Sequence, residues 1–151
     1  MSGIICAIRG GPSSQPTVHQ AIETARQYNI SIYFLYVVNL DFLEHSGQAR
    51  LQVIKEEMQS MGETICMKAQ IEAKRAGVES DVIVKEGKVT EEIISASHEV
   101  DAQYVILGRP EGEDEKNVFS QERLSNFVEL LEKETGAKVI FSKKANNETA
   151  E

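Results

Sequence analysis

Two short segments of this chain carry residues whose types and spacing could hold an anion. Residues 9–14 read Arg-Gly-Gly-Pro-Ser-Ser after a short apolar run, and Gly108-Arg109 follow a second apolar run. Glycines let a backbone approach an anion closely, and a helix that starts at a serine presents free N–H groups with a partial positive charge. Two guanidinium groups would suit a phosphate or a carboxylate. An ordinary tight turn with a serine cap is the other interpretation of the first segment.

Neither segment matches a standard phosphate-binding or catalytic motif. No Gly-Lys-Ser/Thr and no Gly-x-Gly-x-x-Gly occurs in them, which excludes a P-loop and a dinucleotide fingerprint. The acid-rich run Glu111–Lys116 is interpreted as a solvated loop rather than a metal site. The three histidines are scattered, and no nucleophile and base lie together at strand ends. We therefore predict no enzyme, metal or cofactor, with a weak nucleotide hydrolase as the least supported alternative.

The elements that must position these segments follow from the apolar pattern, which predicts five strands alternating with four helices. The predicted strands are Gly3–Ile8, Ile30–Val38, Val82–Val84, Gln103–Leu107 and Lys138–Phe141. The predicted helices start near Ser13, at Gln48 and at a Thr90 cap, and a fourth contains Leu124–Leu131. Long helical crossovers indicate a parallel, doubly wound, three-layer α/β sheet. Ligands of such sheets bind beyond the carboxyl ends of the strands.

The second helix, predicted over Gln48–Ala76, is the longest element. Its apolar residues step by three or four, and Met58, Met61 and Met67 are interpreted as core filler. Gly62 lies inside it and costs about 1 kcal/mol relative to alanine. That glycine indicates either a bend or close packing against a neighbouring element.

Composition limits the classes of protein that the chain can belong to. It has 151 residues, 24 acids and 16 bases, for a net charge of −8, which disfavours nucleic acid and polybasic membrane contacts. Residues 1–50 are charge-balanced, so the excess of acids lies entirely after them. No apolar run is long enough for a membrane span. Cys6 and Cys66 lie in apolar segments and are interpreted as reduced thiols of a cytoplasmic protein.

Four of these segments together resemble a universal stress protein domain. They are the opening strand 4–8 with its glycine-serine loop, the second strand end 35–38, the segment 101–108 and the final segment 137–141. The resemblance covers Gly3–Ser142 and leaves 143–151 as a polar tail. It implies an adenine-nucleotide-hydrolase-like sheet with strand order 3-2-1-4-5 and a homodimer that forms through the last strand. Many members of that family bind ATP between the first and fourth strands, so the resemblance also points to this place as the site of a nucleotide.

The chain departs from the ATP-binding members of that family. They carry an aspartate where this chain has Arg9. They also carry Gly-x-x-Gly, nine residues, and then Gly-Ser or Gly-Thr. Gly108 matches the first glycine, Glu111 replaces the second, and residues 121–122 or 125–126 fall at the last pair without a glycine. We therefore predict a regulatory or interaction module with an unknown protein partner, from the branch that lacks the ATP motif.

The alternative prediction is a nucleotide- or anion-binding protein whose pocket lies between the first and fourth strands. Its candidate ligand-binding residues are Arg9, Gly10, Gly11, Ser13, Val38, Asn39, Gly108 and Arg109. The candidate dimer edge is Val139, Ile140 and Phe141, since an unpaired strand edge readily pairs with its twin. A flavodoxin-like FMN binder is the alternative on a similar sheet.

Overall fold

Five strands and four helices alternate along the chain in the computed structural model, which describes residues 3–10, 14–43, 47–108 and 118–142. The strands are β1 (Gly3–Ala7), β2 (Ser31–Val38), β3 (Ser80–Glu86), β4 (Ala102–Leu107) and β5 (Lys138–Phe141). The helices are α1 (Ser14–Tyr28), α2 (Gln48–Arg75), α3 (Val89–Val100) and α4 (Val118–Thr135), and a 3₁₀ turn spans Asp41–Leu43. The predicted sequence of elements is confirmed. The predicted tail 143–151 lies outside the described residues.

The sheet is parallel, with the order β3-β2-β1-β4-β5, which confirms the predicted topology. β1 lies at its centre, where Ala7 pairs with Leu35 of β2 on one side and with Leu107 of β4 on the other. The chain moves outward from β1 to β2 and β3, then returns to the other side of β1. That reversal opens a crevice between the carboxyl ends of β1 and β4.

The sheet separates two hydrophobic cores, and successive side chains of β1 point alternately into one core and the other. Ile4 and Cys6 face the core that α1 and α2 cover, whereas Ile5 faces the core that α3 and α4 cover. All three side chains are fully buried. A strand covered on both faces needs such a continuous apolar run. This run is the pattern from which the first strand was predicted.

The inward face of α2 differs from the predicted one. Met61 and Met67 are more than half exposed, at 52% and 56%, so their interpretation as core filler was wrong. The buried residues of this helix are Gly62, Cys66, Ala69 and Ala73. Small residues let α2 lie close to β2 and β3. Met58 and Ile65 also pack against this core, whereas Met61 and Met67 point outward. No helix within the described ranges is long and apolar enough to cross a membrane.

The start of α3 also differs from the prediction, by two residues. Lys88, not Thr90, occupies the N-cap position, and no side chain caps the helix there. The Lys88 carbonyl accepts the N–H of Glu92 at 2.9 Å, which is the first bond of the helix. Glu91 and Glu92 lie in the first turn, where their charges complement the helix dipole.

Candidate functional site

The crevice between β1 and β4 brings three of the predicted ligand-binding residues together. Because Ala7 pairs with Leu107, Arg9 and Gly10 leave the sheet beside Gly108. The Arg9 side chain is exposed, and both glycines are half-buried. Gly11, Ser13 and Arg109, together with the acidic segment 111–116, lie outside the described residues.

The backbone of Gly10 is held by the start of α1. Its N–H donates to Ser14 Oγ at 2.8 Å, so this amide is already bonded within the protein. Gly10 has φ +89°, and a Cβ there would lie 2.6 Å from Ile65 Cδ1 on α2. The positive φ therefore favours a glycine at this position, and a Cβ would in addition require the terminal methyl of Ile65 to shift.

The floor of the crevice is a buried contact between α1 and the end of β5. Thr17 Oγ1 lies 3.1 Å from Ser142 Oγ, and the Ser142 N–H donates to Leu107 O at 2.9 Å. A Cβ at Gly108 would lie 2.9 Å from Thr17 Oγ1. Packing against Thr17 thus gives Gly108 a structural reason to be a glycine, independent of any ligand.

Sequence reasoning missed Thr17 and Ser142 as crevice residues. Thr17 lies on the inward stripe of α1, together with Val18 and Ala21. A polar residue at the helical spacing of a buried stripe was the available signal, because a buried hydroxyl must find a hydrogen-bond partner. Nothing in the sequence indicated that this partner would be Ser142.

The end of β2 contributes Val38 and Asn39, one strand away from the crevice. The Val38 side chain is fully buried, and its carbonyl accepts the Gly87 N–H at 3.0 Å. Asn39 Oδ1 accepts the Asp41 N–H at 2.9 Å. Both residues therefore use these groups to hold the connections around β2.

The two cysteines lie in the core on the α1 and α2 side of the sheet, free and fully buried. The thiol of Cys6 donates to Thr17 O at 3.8 Å, and that of Cys66 donates to Phe34 O at 3.7 Å. Burial raises the pKa of Cys66 to about 12. Burial, with a smaller contribution from the nearby Cys66, raises the pKa of Cys6 well above its ordinary range. Both thiols therefore stay neutral at physiological pH, and the prediction that they are packed in the apolar interior is confirmed.

The histidines that fall in the described ranges lie on the surface. His19 is exposed and lies 3.9 Å from Glu72, and His98 is exposed near the end of α3. His45 lies outside the described residues. Across the part of the chain that the structure describes, no group of three His, Cys, Asp or Glu side chains is placed to hold a metal ion.

β5 is one of the two edge strands of the sheet, next to β4, and β3 is the other. Val139, Ile140 and Phe141 are half-buried. Ser142 donates inward to β4, and backbone groups alternate along a parallel strand, so those of Val139 and Phe141 point outward. The outward Val139 N–H donates to Glu132 Oε2 of α4 at 3.0 Å. This edge is thus partly occupied by the protein's own side chain.

The strand order, the helices on both faces and the crevice beside β1 define an adenine-nucleotide-hydrolase-like α/β protein. Residues 1–125 match the model of the Universal stress protein family, and the chain belongs to that family. None of the curated proteins compared with the chain matches it.

Solved structures share the fold at low sequence identity. The chain is similar to universal stress protein UspA from Lactobacillus plantarum, with TM-score 0.74, 13% identity, and 94% of this chain and 97% of that chain covered. It is also similar to a protein of the universal stress protein family from Burkholderia pseudomallei, with TM-score 0.69, 18% identity, and 92% of this chain and 93% of that chain covered. A third similar structure is a universal stress protein in complex with cAMP, with TM-score 0.68, 17% identity, and 95% of this chain and 98% of that chain covered. At such identities the likeness establishes the fold.

Proposed function

We propose that this universal stress protein is a regulatory interaction module with a degenerate nucleotide-binding site that does not hold ATP in the usual way of the family. The observation that carries the proposal is the bond from the Gly10 N–H to Ser14 Oγ. An anion at the end of β1 would need free backbone donors there, and this donor is already used. The exposed Arg9 stands where the ATP-binding members carry an aspartate.

The position of α4 supports the same proposal. The helix begins at Val118, so both alignments of the missing Gly-Ser pair, residues 121–122 and 125–126, fall inside it. Beyond the first turn of a helix, backbone N–H groups are bonded to carbonyls four residues earlier. Residues 125–126 therefore present no free backbone N–H to a phosphate, and a glycine is absent from both pairs.

ATP at several millimolar is expected to leave the melting temperature of the protein unchanged. A ligand present at 100 times its dissociation constant would add about 2.7 kcal/mol of stability, or roughly 5–10 °C for a domain of this size. Thermal unfolding with and without ATP and Mg²⁺ measures this. A rise of several degrees would contradict the proposal.

The same thermal unfolding experiment tests the second candidate function, binding of a mononucleotide or smaller anion. The exposed Arg9 beside the crevice favours it, and the cAMP complex of one structural relative suggests which ligands to use. AMP, cAMP, phosphate and sulfate are the probes. Stabilisation by one of them that Arg9→Gln abolishes, and that Arg26→Gln on exposed α1 surface retains, would support this candidate. If none of the probes raises the melting temperature, this candidate function is excluded.

We also propose that the protein acts as a cytoplasmic homodimer that pairs through β5 and recruits another protein. Both cysteines are free and buried, which suits a reducing compartment. The outward backbone groups of Val139 and Phe141 provide the edge on which a second β5 would add. Glu132 competes with that second strand, because its carboxylate accepts the Val139 N–H.

Glu132→Ala is expected to strengthen dimerisation about thirtyfold, because it releases the Val139 N–H of both copies for the partner strand. This takes about 1 kcal/mol for each of the two exchanged hydrogen bonds. Sedimentation equilibrium measures the dissociation constant. Glu132→Gln keeps an accepting oxygen and should behave like the unchanged protein, and Glu129→Ala removes an exposed charge of the same helix as a control. A monomer at every concentration would overturn the dimer, whereas equal dimers in all variants would overturn only the role of Glu132.

A further inference from the structure

The outward face of α2 carries an unusual share of the exposed apolar surface. Seven large hydrophobic side chains are exposed among the described residues, and four of them lie on α2. These four are Val53, Met61, Met67 and Ile71, each more than half exposed, at 51–56%. Exposed apolar residues that cluster on one element commonly mark a contact surface.

Helix geometry places these residues together. Val53 and Ile71 lie about five turns apart on one line along α2, and Met67 lies within about 40° of that line. Met61 flanks it. The line is opposite to the residues that face the sheet, Gly62, Cys66, Ala69 and Ala73. We call the exposed side the outer face of α2.

The charges of the outer face are separated along the helix. After Arg50 in the first turn, the half nearer the N-terminus carries the exposed acids Glu56, Glu57 and Glu63, and the half nearer the C-terminus carries the exposed bases Lys68, Lys74 and Arg75. Within the described residues, none of these charges takes part in an ion pair. The order suits the helix dipole, but the dipole does not account for the apolar residues between the charges.

We propose that the outer face of α2 is a self-association surface on which a second copy of this chain packs its own α2 in antiparallel orientation. A twofold axis near Thr64 sets the acids of each copy against the bases of the other and leaves Arg50 beyond the end of the partner helix. It also covers Val53, Met67 and Ile71 and brings Met61 to the same height along the helix as Met67 of the second copy. Val53 then lies toward the end of the partner helix that carries Ile71. Parallel pairing would instead oppose acids to acids and bases to bases.

This surface is separate from the β5 edge. α2 packs against β2 and β3, at the end of the sheet opposite to β5. The proposal therefore goes beyond the β5 dimer and does not depend on it. Two twofold contacts on opposite sides of one subunit would join dimers into closed tetramers or open chains.

A charge-swap experiment on the full chain tests the proposal. One variant has a basic outer face (Glu56→Lys, Glu57→Lys, Glu63→Lys), and the other has an acidic one (Lys68→Glu, Lys74→Glu, Arg75→Glu). At low salt, sedimentation velocity should show that each variant alone self-associates at least about tenfold more weakly than the unchanged protein. An equimolar mixture should recover the association, since acids then meet bases along the whole contact. Circular dichroism confirms that both variants are folded.

Cross-linking tests the antiparallel orientation. The native cysteines are buried, so Val53→Cys and Ile71→Cys provide surface thiols. A short bismaleimide, which bridges thiols about one helical turn apart, should link position 53 of one copy to position 71 of the other in a mixture of the two variants. Predominant links between identical positions would contradict the antiparallel arrangement.

The outcome is distinguishable from failure of the β5 dimer, because recovery in the charge-swapped mixture reports on α2 alone. Glu132→Ala should leave that recovery unchanged. An assembly state that neither charge set alters, or a mixture that fails to recover association, would overturn the proposal and leave the outer face of α2 to a partner other than a second copy.

Discussion

Raising the pH from 9 to 10.5 is expected to lower the free energy of unfolding by about 3–4 kcal/mol through Cys6 and Cys66 alone. In the unfolded chain, a thiol loses its proton near pH 8.5–9. In the folded protein, burial keeps both thiols protonated, with the pKa of Cys66 raised to about 12 and that of Cys6 raised as well. Above pH 9 the unfolded state therefore binds fewer protons than the folded state. Each thiol then removes about 1.4 kcal/mol of stability per pH unit.

Urea unfolding at several pH values between 8 and 10.5 measures this loss. Tyrosines and lysines also titrate at the upper end, so the comparison is with the double variant Cys6→Ala, Cys66→Ala. The small cavities cost that variant stability at every pH, but its stability should fall less steeply above pH 9. If both proteins lost stability at the same rate, the thiols would not be buried and neutral as described.

Gly62→Ala is expected to destabilise the protein by about 2 kcal/mol, although alanine is the better helix former. A Cβ at this position would contact the Tyr36 ring at Cδ1 and lie 2.7 Å from Cγ and 2.9 Å from Cε1. Tyr36 is buried on β2, so the ring has little freedom to move away. Overpacking costs about 1–3 kcal/mol, and three close ring atoms indicate at least the upper part of that range. Because alanine favours a helix more than glycine does, it offsets about 1 kcal/mol of this cost, which leaves a net destabilisation of about 2 kcal/mol.

Thermal or urea unfolding checks the size and sign of this effect, with an expected fall of about 4–8 °C in melting temperature. Ser60→Ala, on the exposed side of the same helix, should be neutral or slightly stabilising. In a Tyr36→Ala background the ring is absent, and Gly62→Ala should then stabilise the protein. Destabilisation of equal size in both backgrounds would show that contact with the ring is not its cause.

Element types and topology were predictable because local patterns determine them. The run Lys138–Phe141 was predicted as a strand with the bounds it has in the structure. β1 was recognisable as a fully buried strand because burial on both faces demands an unbroken apolar run. The strand order followed from the family resemblance and is confirmed.

The inward face of α2 was not predictable in the same way. Apolar residues occur all around this helix, so spacing by three or four residues fitted more than one face. Gly62 was interpreted as a bend or a close contact, and the Tyr36 ring makes it a close contact. Which residues of α2 point outward depends on how closely the helix packs on the sheet, and that distance is set by the tertiary structure.

For the candidate site, the sequence located the carboxyl ends of β1 and β4 and placed Arg9, Gly10 and Gly108 there. By itself it determined the elements, the parallel sheet and the positions where glycines and an arginine leave it, because these depend on periodicity and local conformational preference. Only the tertiary structure decided what those residues contact. The Thr17–Ser142 contact joins positions 125 residues apart. The hydrogen-bond partner of the Gly10 N–H and the choice of residues exposed on the outer face of α2 likewise depend on packing. Such contacts arise from distances between elements, which a local sequence pattern does not contain.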